Sequence, residues 1–424
     1  MANAFSKEER VAFEDILEGF QDALVLSKNV ATYNTDQVMM ERTNNIIWRP
    51  QPYIATSYTG TDMTSNFDDY TQLSVPATIG FPKSVPWVMT ATELRDAMQE
   101  GRLGDAAKQK LASDINVAIM NVAAAQGTLV VKRTSTASGF DDVAQCEAVM
   151  NEQGVPMYER YLALSTRDYN GMANDLSKAS RSFGNDISDR ALRKAFVGEM
   201  ASFATFKLDY ANRKAAAAGG GSITIDTRVA GANYYTPKAT STAATGETNN
   251  VDNRFQTVTV SSTTSVAAGD AFTIANVNAV HHITKGDTGQ PKTFRVISVT
   301  NGTTMVISPP IISNQGATDA EAQYQNVVVN ATSATAAIVW LNTVTNYLNP
   351  FWQRDALEIL PGRYAVPTDA GAAVLRASTD QGIELVWQKQ YDINTMKTKY
   401  RLDTLFGVVN KQPEMSGVML FSQT

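Results

Sequence analysis

Residues Thr90 to Gly127, TATELRDAMQEGRLGDAAKQKLASDINVAIMNVAAAQG, decide the fold. Thr90 followed by Glu93 is a capping box, in which hydroxyl and carboxylate satisfy backbone N–H groups at a helix start. After Gly101 and Gly104, which read as a break, Leu111, Ile115, Ala118, Ile119, Val122 and Gln126 recur at three- and four-residue spacing. Asp105, Lys108, Lys110 and Asp114 are polar between them, and Gly127 offers the left-handed residue that ends a helix. At about 1.5 Å per residue the run from Asp105 to Gln126 is about 33 Å long, longer than most globular helices. Such a rod suits either the buried helix of an α/β enzyme or the rigid element of a large subunit, with a sheet carried along its length.

Upstream, residues 1 to 30 hold an amphipathic helix. Val11, Phe13, Ile16, Leu17, Phe20, Leu24 and Val25 are apolar, with Glu8, Glu9, Glu14, Asp15, Glu18 and Asp22 around them. This acidic face reads as a solvated surface over its own core or as a docking surface for a basic partner. From Asn45 the pattern changes to Ile46, Ile47 and Trp48, then Pro50 and Pro52, a short strand entering a loop. Residues 53 to 75 are rich in Tyr, Thr, Ser and Asp, with Gly60 and almost no apolar periodicity. A loop this long in a compact domain is functional or paired with something else, an intersubunit hairpin being one option. Pro76, Pro82 and Pro86 lead from it into the long helix.

Downstream, Thr128 to Lys132 is a short β-branched run, and Gly139 with Asp141 and Asp142 opens a helix near Val143 to Asn151. Residues 155 to 214 mix helix and strand, with a helix expected from Ser188 to Phe206. Ala215 to Ala218, Gly219 to Gly221 and Ser222 form a flexible linker. Beyond it the composition shifts to Thr, Val, Ser and Asn. Short strands centred on Val258, Phe272, Phe294 and Val306, with Gly269-Asp270 and Asn301-Gly302 as turns, predict a small all-β module, a barrel. Thr236 to Asn250 (TPKATSTAATGETNN) is a long exposed polar loop in which only Lys238 and Glu247 are charged. After Pro309 and Pro310 a helical and mixed pattern resumes, so the module is inserted into a host of α+β character.

The 424 residues allow two or three cores at about 150 residues per domain. With 43% apolar and 18% charged residues the chain folds rather than staying disordered. A net charge of −6, a pI near 5.2 and the lack of a polybasic face argue against gripping nucleic acid. Met1 to Arg10 has no apolar signal region and no run of eighteen apolar residues exists, so the expected compartment is the cytoplasm, with no membrane span. His281 and His282 are adjacent, diverge on a strand and make a poor metal pair; a solvent-facing loop suits them better, and no metal or cofactor is expected. Phosphate-binding, dinucleotide and nucleophile-elbow motifs are absent. The carboxylate pairs Asp68-Asp69 and Asp141-Asp142 read as loop charges or helix caps rather than acid/base dyads, and Cys146 as buried filler. Nothing here reads as an active site, and the chain is not expected to be an enzyme.

Val251 to Phe255 (VDNRF), then Thr257-Val258-Thr259, then Ala268-Gly269-Asp270, closely resemble the inserted β domain of the coat proteins of short-tailed phages like Salmonella phage P22. Arg42 to Pro50 (RTNNIIWRP) resembles that family's strand before its extended loop. Glu93-Leu94-Arg95-Asp96, with Asn121-Val122-Ala123 and Gly127, is similar to its spine region, and Asn349 to Ala356 (NPFWQRDA) to the return into the main fold. The resemblance implies an α+β, Hong Kong 97-like capsid fold with an inserted all-β, barrel-like domain. It divides the chain into an N-terminal arm (1–34), an extended loop (53–75), a peripheral domain with the spine helix (35–52 and 76–135), an axial domain (136–221 and 335–400), the inserted domain (222–334) and a return to the peripheral domain (401–424).

The implied function is a structural major capsid protein that self-assembles with a scaffolding protein, in the infected cell's cytoplasm, into an icosahedral T=7 shell enclosing double-stranded DNA. The implied partners are the protein itself in pentamers and hexamers, the scaffolding protein, a portal protein at one vertex, and DNA by enclosure. Glu14, Asp15 and Glu18 match the acids that meet the scaffold, and Tyr53, Asp62, Asp68, Asp69, Lys238 and Glu247 fall in the intersubunit loops. Gly101 and Gly104 become a place where the spine bends between pentamer and hexamer settings. A rival reading, a β-rich receptor- or carbohydrate-binding virion or tail protein, requires aromatics on one β face, where only Phe255, Phe272 and Phe294 are available.

Overall fold

Amphipathic periodicity produces five helices among the described residues: α1 (Lys7–Ala23), α2 (Ala97–Gln126), α3 (Phe140–Glu152), α4 (Thr166–Ala179) and α5 (Asp319–Tyr324). The structure, a computed structural model, describes residues 5, 7–33, 46–52, 54–55, 57–64, 67, 69–90, 92–93, 97–179, 197–208, 210–219, 223–226, 234–314, 318–329, 335–365 and 372–424. The chain is shared between two compact units. One comprises Met1–Ile47, Pro76–Met120 and Leu357–Val409; the other comprises Trp48–Val75, Asn121–Ala356 and Asn410–Thr424.

In the first unit, α1 buries Phe13, Ile16, Phe20 and Leu24 while Glu14, Asp15 and Glu18 are exposed. A Cβ on Gly104 of α2 would come 2.7 Å from Ile16 Cδ1. Glycine there is a packing residue: α2 runs unbroken through Gly101 and Gly104, and the expected break does not exist. Among the described residues the helix spans Ala97–Gln126, and residues 94–96 before it lie outside the described set. Thr90 ends a strand, Phe81–Thr90, although its N–H still donates to Glu93 Oε2 at 2.8 Å. Asn116 of α2 closes the end of α1, its Nδ2 donating to Ala23 O (3.2 Å) and its Oδ1 accepting from Leu26 N (3.3 Å).

The sheet of this unit runs Ala31–Thr32, Leu357–Pro361, Lys397–Asn410, Glu384–Asp392, Ala373–Ser378, with Phe81–Thr90 also paired to Lys397–Asn410. Phe81–Thr90 carries Pro82 and Pro86, which an outer strand tolerates because their missing N–H groups need no partner there. Trp387 gathers Phe5 (5.2 Å between ring centroids), Phe13 (6.0 Å) and Tyr400 (6.0 Å) into an aromatic core.

The second unit contains two large sheets besides two-stranded ones. One has the order Leu129–Lys132, Ser416–Leu420, Asn349–Gln353, Arg160–Ser165, Phe203–Leu208, Glu199–Met200. Its core takes Val143, Cys146 and Met150 from α3, Met172 from α4, and Leu162, Phe203, Phe351 and Met419 from the strands. The helix expected over Ser188–Phe206 is not formed where the chain is described: Phe203–Leu208 is a strand, parallel to Arg160–Ser165, and residues 188–196 lie outside the described set. Parallel pairing with Arg160–Ser165 and burial of Phe203 and Leu208 set this segment as a strand.

The other sheet runs Thr224–Asp226, Thr335–Trp340, Ala271–Val280, Asp287–Asn301, Thr304–Ser308, Gln256–Thr259, with Val327–Val329 beside Ala271–Val280. It curls until its edges meet: Ile225 bridges Val260, and Ser261 N donates to Thr224 O at 2.9 Å. Phe272 and Phe294, directly opposite in register, stack at 5.6 Å inside, with Ile274, Val296, Met305 and Ile338. Asn301 and Gly302 make the expected turn, Asn301 Oδ1 accepting from Thr303 N at 3.0 Å. The chain is therefore α+β with a barrel-like β module.

Candidate functional site

The VDNRF segment builds the root of the polar loop after it has passed. Asn253 Oδ1 accepts from Lys238 N (3.1 Å) and from the Tyr235 hydroxyl (2.8 Å), while its Nδ2 donates to Lys238 O (2.9 Å) and Val251 O (3.0 Å). Arg254 lies flat against Asp252, Nε to Oδ1 at 2.9 Å and Nη2 to Oδ2 at 2.7 Å, and its Nη1 donates to Asn410 O at 2.9 Å. Beyond that root the chain is a two-stranded hairpin, Thr240–Thr242 with Thr248–Asn250, exposed at every strand residue. Lys238 and Glu247 are exposed on it.

The other long loop is tied at its base, where Gln51 N donates to Leu73 O at 3.0 Å. Tyr53 and Asp68 lie outside the described residues; Asp62 and Asp69 are exposed. Asp62 Oδ1 accepts from the Thr64 hydroxyl (2.5 Å) and N–H (3.1 Å), and these hydrogen bonds hold its carboxyl below the usual carboxylate range. Phe67, which the sequence reading passed over, is 87% exposed. The single phenylalanine in a loop otherwise rich in Tyr, Thr, Ser and Asp was the available signal.

The barrel meets the helix-and-sheet half of its unit along strand Asp287–Asn301. Lys292 Nζ reaches Glu414 Oε1 (2.5 Å) and Gln153 Oε1 (2.8 Å), the Thr293 hydroxyl donates to Thr128 O (2.7 Å), and Arg295 Nη2 donates to Ala124 O (3.0 Å). Ala124 is in the last turn of α2, so Arg295 caps that helix with a positive charge where its dipole is negative. Burial lowers the Arg295 pKa to about 10, against the pull of Asp270, so the guanidinium stays charged at neutral pH.

His282 is in the same contact. The expected loop is present, with Ile283 69% exposed, but His282 does not face solvent: its Nε2 sits 3.5 Å from Glu414 Oε2, and burial lowers the imidazole to about 4 despite that carboxylate. Asp142 is a buried cap, accepting from Arg133 Nε (2.6 Å) and Ser138 N (2.8 Å) at the start of α3, and it does not form a dyad with exposed Asp141. Cys146 is fully buried beside Met419, and burial pushes its thiol well up. Among the described residues no group of three or more His, Cys, Asp or Glu could hold a metal, and no helix is long and apolar enough to cross a membrane. A cavity of about 360 Å³ beside Glu414 is walled by Pro52, Ile54, Leu73, Pro156, Pro309 and Pro310 and holds no nucleophile paired with a base.

Among protein families, the one described as P22 coat protein, gene protein 5, matches residues 1–422. Similar solved structures include "Mycobacterium phage Che8", at 10% identity and a TM-score of 0.45, covering 93% of this chain and 90% of that one. The capsid structure of cyanophage P-SCSP1u is also similar, at 10% identity and a TM-score of 0.41, covering 93% and 86%. The "CUS-3 coat protein I-domain" is 40% identical over 29% of this chain and 98% of that one, with a TM-score of 0.21.

Proposed function

The chain belongs to the P22 coat protein family, and from that premise we propose how its surfaces serve the shell that a phage coat protein builds. It is a structural major capsid protein and not an enzyme. Its work lies in repeated interfaces, each modest, whose sum closes a shell.

We infer that α1 is the arm that meets a basic scaffolding protein. The observation that carries this is the split of one helix into a buried apolar face and an exposed acidic one bearing Glu14, Asp15 and Glu18. We assign intersubunit contacts to the loop 53–75, where Phe67 is exposed, and to the exposed hairpin carrying Lys238 and Glu247. The domain plan is proposed as the resemblance implies it: arm 1–34, peripheral domain 35–52 and 76–135, axial domain 136–221 and 335–400, inserted domain 222–334, and a return at 401–424. Pentamers and hexamers, a T=7 lattice, a portal at one vertex, DNA held by enclosure and assembly in the infected cell's cytoplasm complete the proposal. The acidic balance of the chain suits a wall that holds DNA without binding it. The sugar-binding alternative lacks its aromatic face, since Phe272 and Phe294 are stacked inside the barrel.

Co-expression with the phage's scaffolding protein is expected to give closed, shell-sized particles by electron microscopy; small oligomers alone would count against the scaffolded assembly. Glu14→Lys together with Asp15→Lys should weaken scaffold co-sedimentation at low salt. Unchanged binding would remove the docking role from α1.

A further inference from the structure

Six polar side chains meet where the barrel joins the helix-and-sheet half of its unit. Lys292, His282, Lys285 and Asn326 come from the barrel side, and Glu414 and Gln153 from the other. Lys292 is 1% exposed, Asn326 0%, Gln153 5% and Glu414 8%. Glu414 Oε1 takes both the Lys292 ammonium (2.5 Å) and the Asn326 amide (3.1 Å), leaving Oε2 facing His282 Nε2 at 3.5 Å. Lys285 Nζ donates to Gln323 O (2.7 Å) and Gln325 O (3.2 Å). Glu414 sits in the short turn Pro413–Met415 that leads into Ser416–Leu420, a strand with neighbours on both sides in its sheet.

Within this cluster of six, Glu414 is the carboxylate that faces the Lys292 ammonium and the His282 imidazole. The other contacts along the same barrel strand, Thr293 to Thr128 O and Arg295 to Ala124 O, involve groups that do not change charge between pH 4 and 7. A buried cation left without its counter-ion costs far more than the pair contributes when intact. The join therefore has one point at which a proton changes the balance.

We propose that Glu414, Lys292 and His282 form an acid-released latch: proton uptake at the carboxylate or the imidazole frees this edge of the barrel from its host while the barrel's own core stays closed.

The directions of titration agree with this. Burial works to raise the Glu414 pKa, but Lys292 and His282, with hydrogen bonds from Lys292 and Asn326, outweigh it and hold it below the usual carboxylate range. Burial lowers His282 to about 4, with Glu414 opposing and Lys292, Lys285 and His281 assisting. Both pKa values are lower folded than unfolded. Between about 6.5 and 4 an unfolded histidine takes a proton that folded His282 refuses, so stability falls as pH falls through that window. The Glu414 contribution is lost as pH falls through its own lowered value. Burial lowers Lys285 to about 8, so its contribution is already lost at neutral pH and does not enter the acid window. Arg254, Asp355, Tyr158 and Tyr324 line the adjoining cavity; Arg254 is neutralised by Asp252, and Asp355 accepts from Gln353 Nε2 at 3.3 Å.

The test is hydrogen exchange on the full chain as an unassembled subunit, corrected for intrinsic rate, between pH 7 and pH 4.5. The imidazole alone changes the opening equilibrium by at most about 300-fold between pH 6.5 and 4. Peptides covering 281–286, where the His282 N–H donates to Gln153 O across the join, and the turn 412–416 should therefore exchange at least about tenfold faster at pH 4.5 than at pH 7. The barrel strands Ala271–Val280 and Thr304–Ser308 should keep their protection at both pH values. Glu414→Gln should show the fast exchange already at pH 7 with little further pH dependence, and His282→Asn should move the onset to lower pH. Equal protection of 281–286 at both pH values overturns the latch, as does opening of the whole barrel in one step. Should Glu414→Gln fail to fold, the wild-type profile and His282→Asn decide the question.

Discussion

At Gly417 the sheet leaves room for a hydrogen atom and nothing larger. A Cβ there would stand 2.6 Å from both Leu129 Cβ and Phe351 Cζ and would also strike the Leu129 carbonyl oxygen, which is backbone and cannot swing away. Gly417→Ala is accordingly expected to cost about 2–3 kcal/mol, read as a lower urea midpoint, where an exposed Gly→Ala would be near neutral. Gly104 sits at the other extreme. Its close neighbour is the flexible tip of Ile16, and alanine gains about 1 kcal/mol of helix propensity, so Gly104→Ala should be tolerated. Neither distinction is legible from the residue letter, because both depend on what another element brings opposite. Asp142 was legible as a cap from its place before an apolar run. His282 was not, since its side chain is covered on a turn that otherwise faces solvent, against Glu414, which is far away along the chain.

At the level of elements, the body of α2 and the strands around Phe272, Phe294 and Val306 follow from local pattern and turn chemistry, and these were readable. Phe81–Thr90 was not, because Pro82 and Pro86 argue against a strand until its outer position is known. Thr335–Trp340 was read as part of a mixed return, yet it pairs with Thr224–Asp226 across more than a hundred residues to close the barrel. Long-range pairing of this kind leaves little local trace. The same applies to the cap on α2, whose arginine is supplied from the barrel. Arg295→Met should keep the bulk of the side chain while losing two charge-assisted bonds to Ala124 O and Gly127 O. Removing the buried charge offsets part of that loss, leaving a net cost of about 1–2 kcal/mol. The measurable sign is exchange in residues 122–127 rising about tenfold, with residues 107–119 unchanged.

For the whole molecule, two compact units with separate cores predict unfolding in more than one step. Trp87 and Trp387 report on the first unit, and Trp340 and Trp352 on the second. Phe272→Ala removes a buried ring and should cost the second unit about 3–5 kcal/mol. In urea the transition reported by Trp340 and Trp352 should move to lower concentration while that of Trp87 and Trp387 stays in place. Coincident movement of both would mean a single cooperative block. The interleaving of the units carries a further consequence, one of timing during synthesis. Ser416–Leu420 lies between Leu129–Lys132 and Asn349–Gln353, strands translated well before it. Until those late residues leave the ribosome, the sheet has a gap between Leu129–Lys132 and Asn349–Gln353, and these earlier strands must wait with open edges. A nascent chain stalled short of Ser416 would therefore expose two unpaired strand edges and be a form in need of a chaperone, and completion of Ser416–Leu420 would set the moment at which this sheet closes.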